Sequence, residues 1–383
     1  MTQPLESYRI PFNRTSLVGD EMAYILESLR GGQVAGNQTF SRRCAALLEE
    51  TLGAPRALLT TSCTHALELS ALLLDLGPGD EVIVPTFTFV STVNAFVLRG
   101  ARPIFADVRP DTLNLDEARL EALVTPRTRA IVPVHYAGVG CELDELLAVA
   151  ARHGVTVVED NAHGLFGKYR GRWLGTFGRL ATQSFHETKN FTCGEGGALV
   201  VNDPALVERA EILSEKGTDR RKFFRGLVDK YTWIDVGSSY VMSDVLAAFL
   251  YGQLEQRDRI QARRRAIWER YHAALAGWCL AHGVRQPVVP AHCEQAYHMY
   301  YVVCPTPALR SALIAHLGRL GILSVFHYQP LHTSPMGQRY GGRAGDCPVA
   351  EWTSERLLRL PMFFDLRDDA QEEVIAGLRA FEG

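Results

Sequence analysis

The stretch Ala181–Asn202, ATQSFHETKNFTCGEGGALVVN, holds two short β-rich runs, 181–186 and 197–202, on either side of one lysine, Lys189, and a cluster of glycines. Short apolar and hydroxylated runs bounded by glycine predict a strand, a loop and a second strand, with Gly194–Gly197 letting the chain turn back tightly. Lys189 then lies just beyond a strand end.

Working outward, the same alternation recurs. Further strands are predicted at 81–85 (EVIVP), 102–108 (RPIFADV), 129–135 (RAIVPVH) and 155–160 (VTVVED). Between them, 64–76 (THALELSALLLDL) and 142–153 (ELDELLAVAARH) carry helical apolar spacing and end at glycine-bearing turns. Strands alternating with amphipathic helices predict an α/β fold with a mainly parallel sheet covered by helices. Beyond Ser243 a long amphipathic pattern reads as a continuous or broken helix, followed by two β-like runs, 299–303 and 322–326. The expected division is a large domain over 1–250 and a smaller carboxyl-terminal α+β domain over 251–383.

Bulk properties narrow the function. The chain has 383 residues, 47% of them apolar, and a net charge of −3, enough for two cores but no general attraction to nucleic acid or an anionic membrane. The basic run Arg263–Arg265 reads as a solvated helix face, while Arg220-Arg221-Lys222 falls in a charged, aperiodic segment, 215–231. Eight cysteines show no zinc spacing and no disulfide framework, so they are expected as reduced thiols. No signal-peptide pattern and no membrane-spanning run is legible, and a cytoplasmic location is expected.

Gly138-Val-Gly140-Cys-Glu-Leu143, with Glu159-Asp160 some way on, imitates a dinucleotide fingerprint, but Leu143 stands where glycine or alanine is needed. A plain strand-to-helix turn explains it, with NAD binding as the rival. Thr61-Ser62-Cys63-Thr64 precedes a helix and could hold an anion on free N–H groups, or simply cap that helix. Asp160 ends an apolar strand, where sites on open α/β sheets gather. Lys189, alone, would be a surface lysine. Together these features suit one ligand bearing a phosphate, a ring nitrogen that prefers protonation, and an aldehyde: pyridoxal phosphate.

The ordered motifs PTFTFVST (85–92), VVEDNAHG (157–164), SFHETKN (184–190), GEGGA (194–198), YVMSDVLAAF (240–249) and PLH (330–332) resemble those of the DegT/DnrJ/StrS sugar-nucleotide aminotransferases across essentially the whole chain. Within that group the match is nearest to the dTDP-4-amino-4,6-dideoxygalactose transaminases, through LLTTSCTHALELSALLLD, SFHETKNFT, EKGTDRRKFFRGLVDKYTW and ERLLRLPMF. The resemblance implies a fold-type I PLP-dependent transferase, a homodimer with sites at the subunit interface, and Lys189 as the Schiff-base lysine. Asp160 would hold the pyridine nitrogen, Phe89 stack on the ring, and His163 bond its hydroxyl. Ser62, Cys63 and Ser184 would grip the phosphate, and Ser239, where many relatives have asparagine, would add a contact from the partner. L-glutamate is the expected amino donor and a dTDP-linked 4-keto-6-deoxy sugar the acceptor, the cofactor alternating with its pyridoxamine form. Lys216, Arg220, Arg221, Tyr231 and His332 are the candidate sugar-nucleotide ligands. The alternatives are another keto sugar or a non-catalytic PLP-binding regulator.

Overall fold

A computed structural model describes residues 8–381. Seven strands, β1 (Arg56–Thr60), β2 (Glu81–Pro85), β3 (Arg102–Ala106), β4 (Thr128–Ile131), β5 (Thr156–Asp160), β6 (Leu180–Ser184) and β7 (Gly197–Val201), form one sheet. Its order is β1-β7-β6-β5-β4-β2-β3. Only β7 runs against the rest. The strands read as apolar runs because both faces are covered: Val82, Ile83, Val84, Ala130, Ile131, Val158 and Leu199 are all buried. An α/β fold with a mainly parallel sheet is what the pattern predicted.

Six strands pointing one way bring Thr60, Pro85, Asp160 and Ser184 to a single sheet edge. The reversed strand begins at that edge, where Gly197 pairs with both Thr60 and Ser184. A side chain on Gly197 would overlap the backbone of Ser62 and Cys63, so this position must be bare.

Adjacent acids on β5 face opposite ways, as alternation along a strand requires. Glu159 is fully buried and accepts hydrogen bonds from the N–H groups of Gly175 (2.8 Å), Phe177 (2.6 Å) and Gly178 (2.7 Å), and from His135 Nε2 (2.9 Å). Burial opposes its charge, but the His135 hydrogen bond and these amides outweigh it and hold the carboxyl below its ordinary range. His135 Nδ1 in turn accepts from Cys141 N–H at 3.2 Å, and Asn114 Nδ2 donates to the carbonyls of Val139 (3.1 Å) and Gly140 (2.9 Å). The fingerprint-like turn is therefore internal scaffold.

Helix α1 (Glu21–Arg30) packs against α3 (Asp244–Glu255), while α2 (Cys63–Leu73) follows β1 and covers the sheet. The long amphipathic pattern is broken at Gln256, and α4 (Arg257–Ala281) continues it. Along α4 the cores change over: Ile260 packs with Phe40 and Leu254, Ile267 with Tyr300 and Leu358. The second core backs a two-stranded antiparallel sheet, β8 (Tyr300–Val303) and β9 (Leu357–Leu360). The run at 322–326 is not a strand. It makes single bridges instead, Ile322 to Ile10 and Val325 to Arg359.

Candidate active site

Asp160 and Lys189 meet at the shared edge. Asp160 is buried; Oδ2 accepts from Thr92 Oγ1 at 2.7 Å and Oδ1 from Ala162 N–H at 3.1 Å. A carboxylate has room for further donors beyond these two. Burial raises its pKa, and Thr92, Ala162 N–H and the charge of Lys189 draw it partly back. Burial pushes the Lys189 amine down to about 8. A lysine so tuned is part neutral near pH 7, as an amine that must attack an aldehyde requires.

Thr60 leads into the turn that caps α2. Ser62 is extended and its Oγ accepts from His65 N–H at 3.1 Å, the capping arrangement. Its hydroxyl proton stays available, as do the first N–H groups of the helix, beginning at Cys63. Burial pushes the Cys63 thiol up to about 12, so it is a neutral wall here. Ser184 ends β6, buried, and its hydroxyl makes no hydrogen bond among the described residues.

Phe89 follows β2 and is 58% exposed, an unusual position for a large ring unless something lies on it. Tyr328 stands beyond it at 6.4 Å between ring centres. His163 is buried and its Nδ1 has no partner among the described residues, a polar atom left waiting for a donor or acceptor. Burial, with the charges of Lys189 and Arg359, keeps the imidazole neutral.

The carboxyl-terminal part of the chain supplies a wall of residues not expected at the site, of which only Arg359 lies in a quoted motif, ERLLRLPMF. His298 stacks on His163, and His327 Nδ1 is 2.9 Å from Tyr136 Oη. Arg359, on β9, donates from Nε (3.2 Å) and Nη2 (3.0 Å) to Phe326 O and lies 4.6 Å from the centre of the Phe12 ring. Next to Phe12, Asn13 donates to Glu187 O at 3.0 Å, two residues before Lys189. No carboxylate lies within 4.0 Å of Arg359 among the described residues.

A family profile, the DegT/DnrJ/EryC1/StrS aminotransferase family, matches residues 16–379. The chain belongs to this family. Solved structures agree with it. The aminotransferase TlmJ from Streptoalloteichus hindustanus is 33% identical over 97% of this chain and 98% of its own, with a TM-score of 0.88. Spr1654 from Streptococcus pneumoniae, assigned as a sugar aminotransferase and solved in a PLP form, is 26% identical over 97% of this chain and 98% of its own, with a TM-score of 0.89. S. venezuelae DesV, solved with a ketimine intermediate, is 31% identical over 96% and 98%, with a TM-score of 0.86. The protein is a PLP-dependent sugar aminotransferase of fold type I, and its residues fit the cofactor: an acid with spare lone pairs, an orphaned imidazole nitrogen, a bare Gly197 beside a helix start, and a tuned lysine.

The other expected residues of the aminotransferase fall elsewhere. Lys216, Arg220 and Arg221 line a cavity of about 570 Å³ beside Ala57–Leu59 of β1, which Ser62, Asp160 and Lys189 do not line. Arg220 lies 5.2 Å over Phe224 and 5.9 Å over Tyr231, without an acid partner among the described residues. Arg221 is engaged by Glu211 (3.2 Å) and Asn37 (2.8 Å), which removes it as a free ligand. Ser239 is exposed and bridges Glu215. His332 is fully buried, with Nδ1 2.7 Å from Thr86 Oγ1 and Nε2 2.9 Å from Glu351, so both ring nitrogens are engaged within the chain.

Proposed function

We propose that this aminotransferase moves an amino group from L-glutamate to dTDP-4-keto-6-deoxy-D-glucose, giving dTDP-4-amino-4,6-dideoxy-D-galactose. The observation that carries amino transfer is the partly buried Lys189, with its lowered pKa, at the same sheet edge as Asp160. The sugar rests on the SFHETKNFT, EKGTDRRKFFRGLVDKYTW and ERLLRLPMF motifs.

Bound pyridoxal phosphate supplies an aldehyde that joins amines and a protonated ring that accepts electrons from the substrate carbon. Asp160, ionised, would hold the proton on the pyridine nitrogen, and Thr92 keeps that carboxylate oriented. Ser62, the N–H of Cys63 and Ser184 would take the phosphate, Phe89 one ring face, and His163 Nδ1 the ring hydroxyl. Lys189 Nζ, once freed, would carry protons between the substrate carbon and the carbon that held it. The charge of Arg359, unmatched by any acid among the described residues, suits the carboxylate of an acidic donor.

Helix α1 leaves Met22, Leu26 and Leu29 exposed on one face, at 57%, 47% and 52%. Such a row wants a partner, and we place the homodimer contact there. In that assembly Lys216, Arg220, Tyr231 and Ser239 would serve the neighbouring subunit's sugar nucleotide and phosphate. A cytoplasmic setting is consistent with eight free cysteines and with no described helix being long and apolar enough to cross a membrane.

The decisive experiment incubates the holoenzyme with dTDP-4-keto-6-deoxyglucose and L-glutamate, measures 2-oxoglutarate, and assigns the C4 configuration by NMR. Axial amine is expected. Equatorial amine, or product only from a 3-keto or GDP-linked sugar, overturns the assignment, and absence of 2-oxoglutarate with every keto sugar overturns catalysis.

A further inference from the structure

One imidazole at the site has no part in the chemistry above. His298 is buried, and its ring centre lies 4.2 Å from that of His163 with 17° between the planes. Its Nδ1 is 3.0 Å from Asn190 Oδ1, while Asn190 Nδ2 donates to Ala296 O at 2.6 Å. The second bond orients the amide so that its oxygen meets the imidazole. The network therefore assigns the proton to His298 Nδ1, which donates to Asn190. Asn190 is the residue after Lys189.

The loop that presents His298 is held at some cost. Tyr297, just before it, has φ +52, a left-handed conformation that a tyrosine seldom adopts. Arg264, 3% exposed, gives Nε to Tyr297 O at 2.9 Å and Nη2 to His298 O at 2.6 Å. A buried guanidinium used on two carbonyls, with no carboxylate partner among the described residues, is an expensive clamp. Strain and buried charge concentrated on one loop indicate that its position matters to the site.

We propose that His298 is a positioning residue that holds two parts of the cofactor site at once. Its stacked ring sets the plane of His163, so that the unpartnered Nδ1 of His163 meets the ring hydroxyl of the bound cofactor. Its Nδ1–H fixes, through Asn190, the backbone that carries Lys189. Phenylalanine could stack but not donate, and asparagine could donate but not stack, so only an imidazole does both. The charges acting on the His163–His298 pair are those of Lys189, Arg264 and Arg359, all positive, with neutral His327 alongside; both rings stay uncharged. The inference rests on the PLP reading of the site and not on the identity of the sugar.

The test is a pH titration of the visible absorption band of the holoenzyme in wild type, His298→Phe, His298→Asn, His163→Phe and the His163→Phe/His298→Phe double variant. Both His298 variants are expected to retain cofactor and to move the midpoint by about one pH unit. Their kcat should fall about tenfold with KM for glutamate little changed, a loss of placement rather than binding. The double variant should exceed His163→Phe yet fall short of the sum of the two single effects, because the stacking branch is already lost in His163→Phe while the Asn190 branch is not. Should His298→Phe lose its cofactor, Asn190→Ala, which removes the same hydrogen bond from the other side, takes its place with the same expectation. Midpoints unchanged in both His298 variants, or effects that simply add in the double variant, overturn the proposal. A wrong sugar leaves the titration intact, whereas a wild-type protein with no such band would sink the cofactor reading instead.

Discussion

Thr92 donates a 2.7 Å hydrogen bond to Oδ2 of Asp160, so this buried acid is tuned by a residue on the helix that follows β2, Ser91–Val97. Burial lifts the Asp160 pKa and this bond lowers it. Thr92→Val removes the lowering contribution and the pKa rises further. Because the proposed role needs the ionised form, the acid limb of the kcat profile should move to higher pH, by about one unit. Asp160→Asn, which cannot carry the charge at any pH, should lower kcat about 10²–10³-fold. Steady-state kinetics from pH 5 to 9 check both.

Lys189 is held near 8 by burial. The neutral amine attacks, so the rate at which the cofactor-free chain takes up pyridoxal phosphate should climb about tenfold from pH 7 to 9 and then level. Stopped-flow absorbance follows it. An exposed lysine of ordinary pKa would keep climbing past pH 10.

Gly197 leaves room for the Ser62–Cys63 turn. Gly197→Ala forces backbone against backbone, and should cost about 1–3 kcal/mol of stability. The Ser62–Cys63 turn is what must shift, so, if it holds the phosphate as proposed, cofactor affinity should weaken more than the far-ultraviolet spectrum changes. Denaturant midpoints and equilibrium dialysis separate the two effects.

Arg359 offers a charge with no acid partner among the described residues, beside the lysine loop. Arg359→Gln should raise KM for L-glutamate by about 10–100-fold, the worth of one charge-assisted hydrogen bond, with KM for the keto sugar nucleotide within a factor of two. Equal effects on both substrates would assign the arginine to the site as a whole.

Much of this was legible in the chain and some was not. The strands announce themselves because both faces are apolar, and Asp160 and Lys189 are legible because each follows such a run. The partners from the carboxyl-terminal part are hidden for a physical reason. His298, His327 and Arg359 lie more than a hundred residues from Lys189, in a loop, a segment with single bridges and a short edge-paired strand, where no periodicity marks which face meets the site. His332 shows the reverse case: a histidine in a recognisable motif has both nitrogens engaged, by Thr86 and Glu351, which the motif alone does not reveal.

His332→Ala therefore leaves Thr86 and Glu351 without their partner, and should cost about 1–3 kcal/mol in urea unfolding while KM for the sugar nucleotide holds.

Glu159 and Asp160 are neighbours of like chemistry, and a slip of one residue in β5 would exchange them: a folded sheet with the wrong carboxylate toward the cofactor. The three amides and His135 around Glu159 accept only one of those two threadings. They thereby favour the observed register. Glu159→Gln, which cannot accept all four donors, should yield protein in two populations, one that turns yellow with pyridoxal phosphate and one that never does.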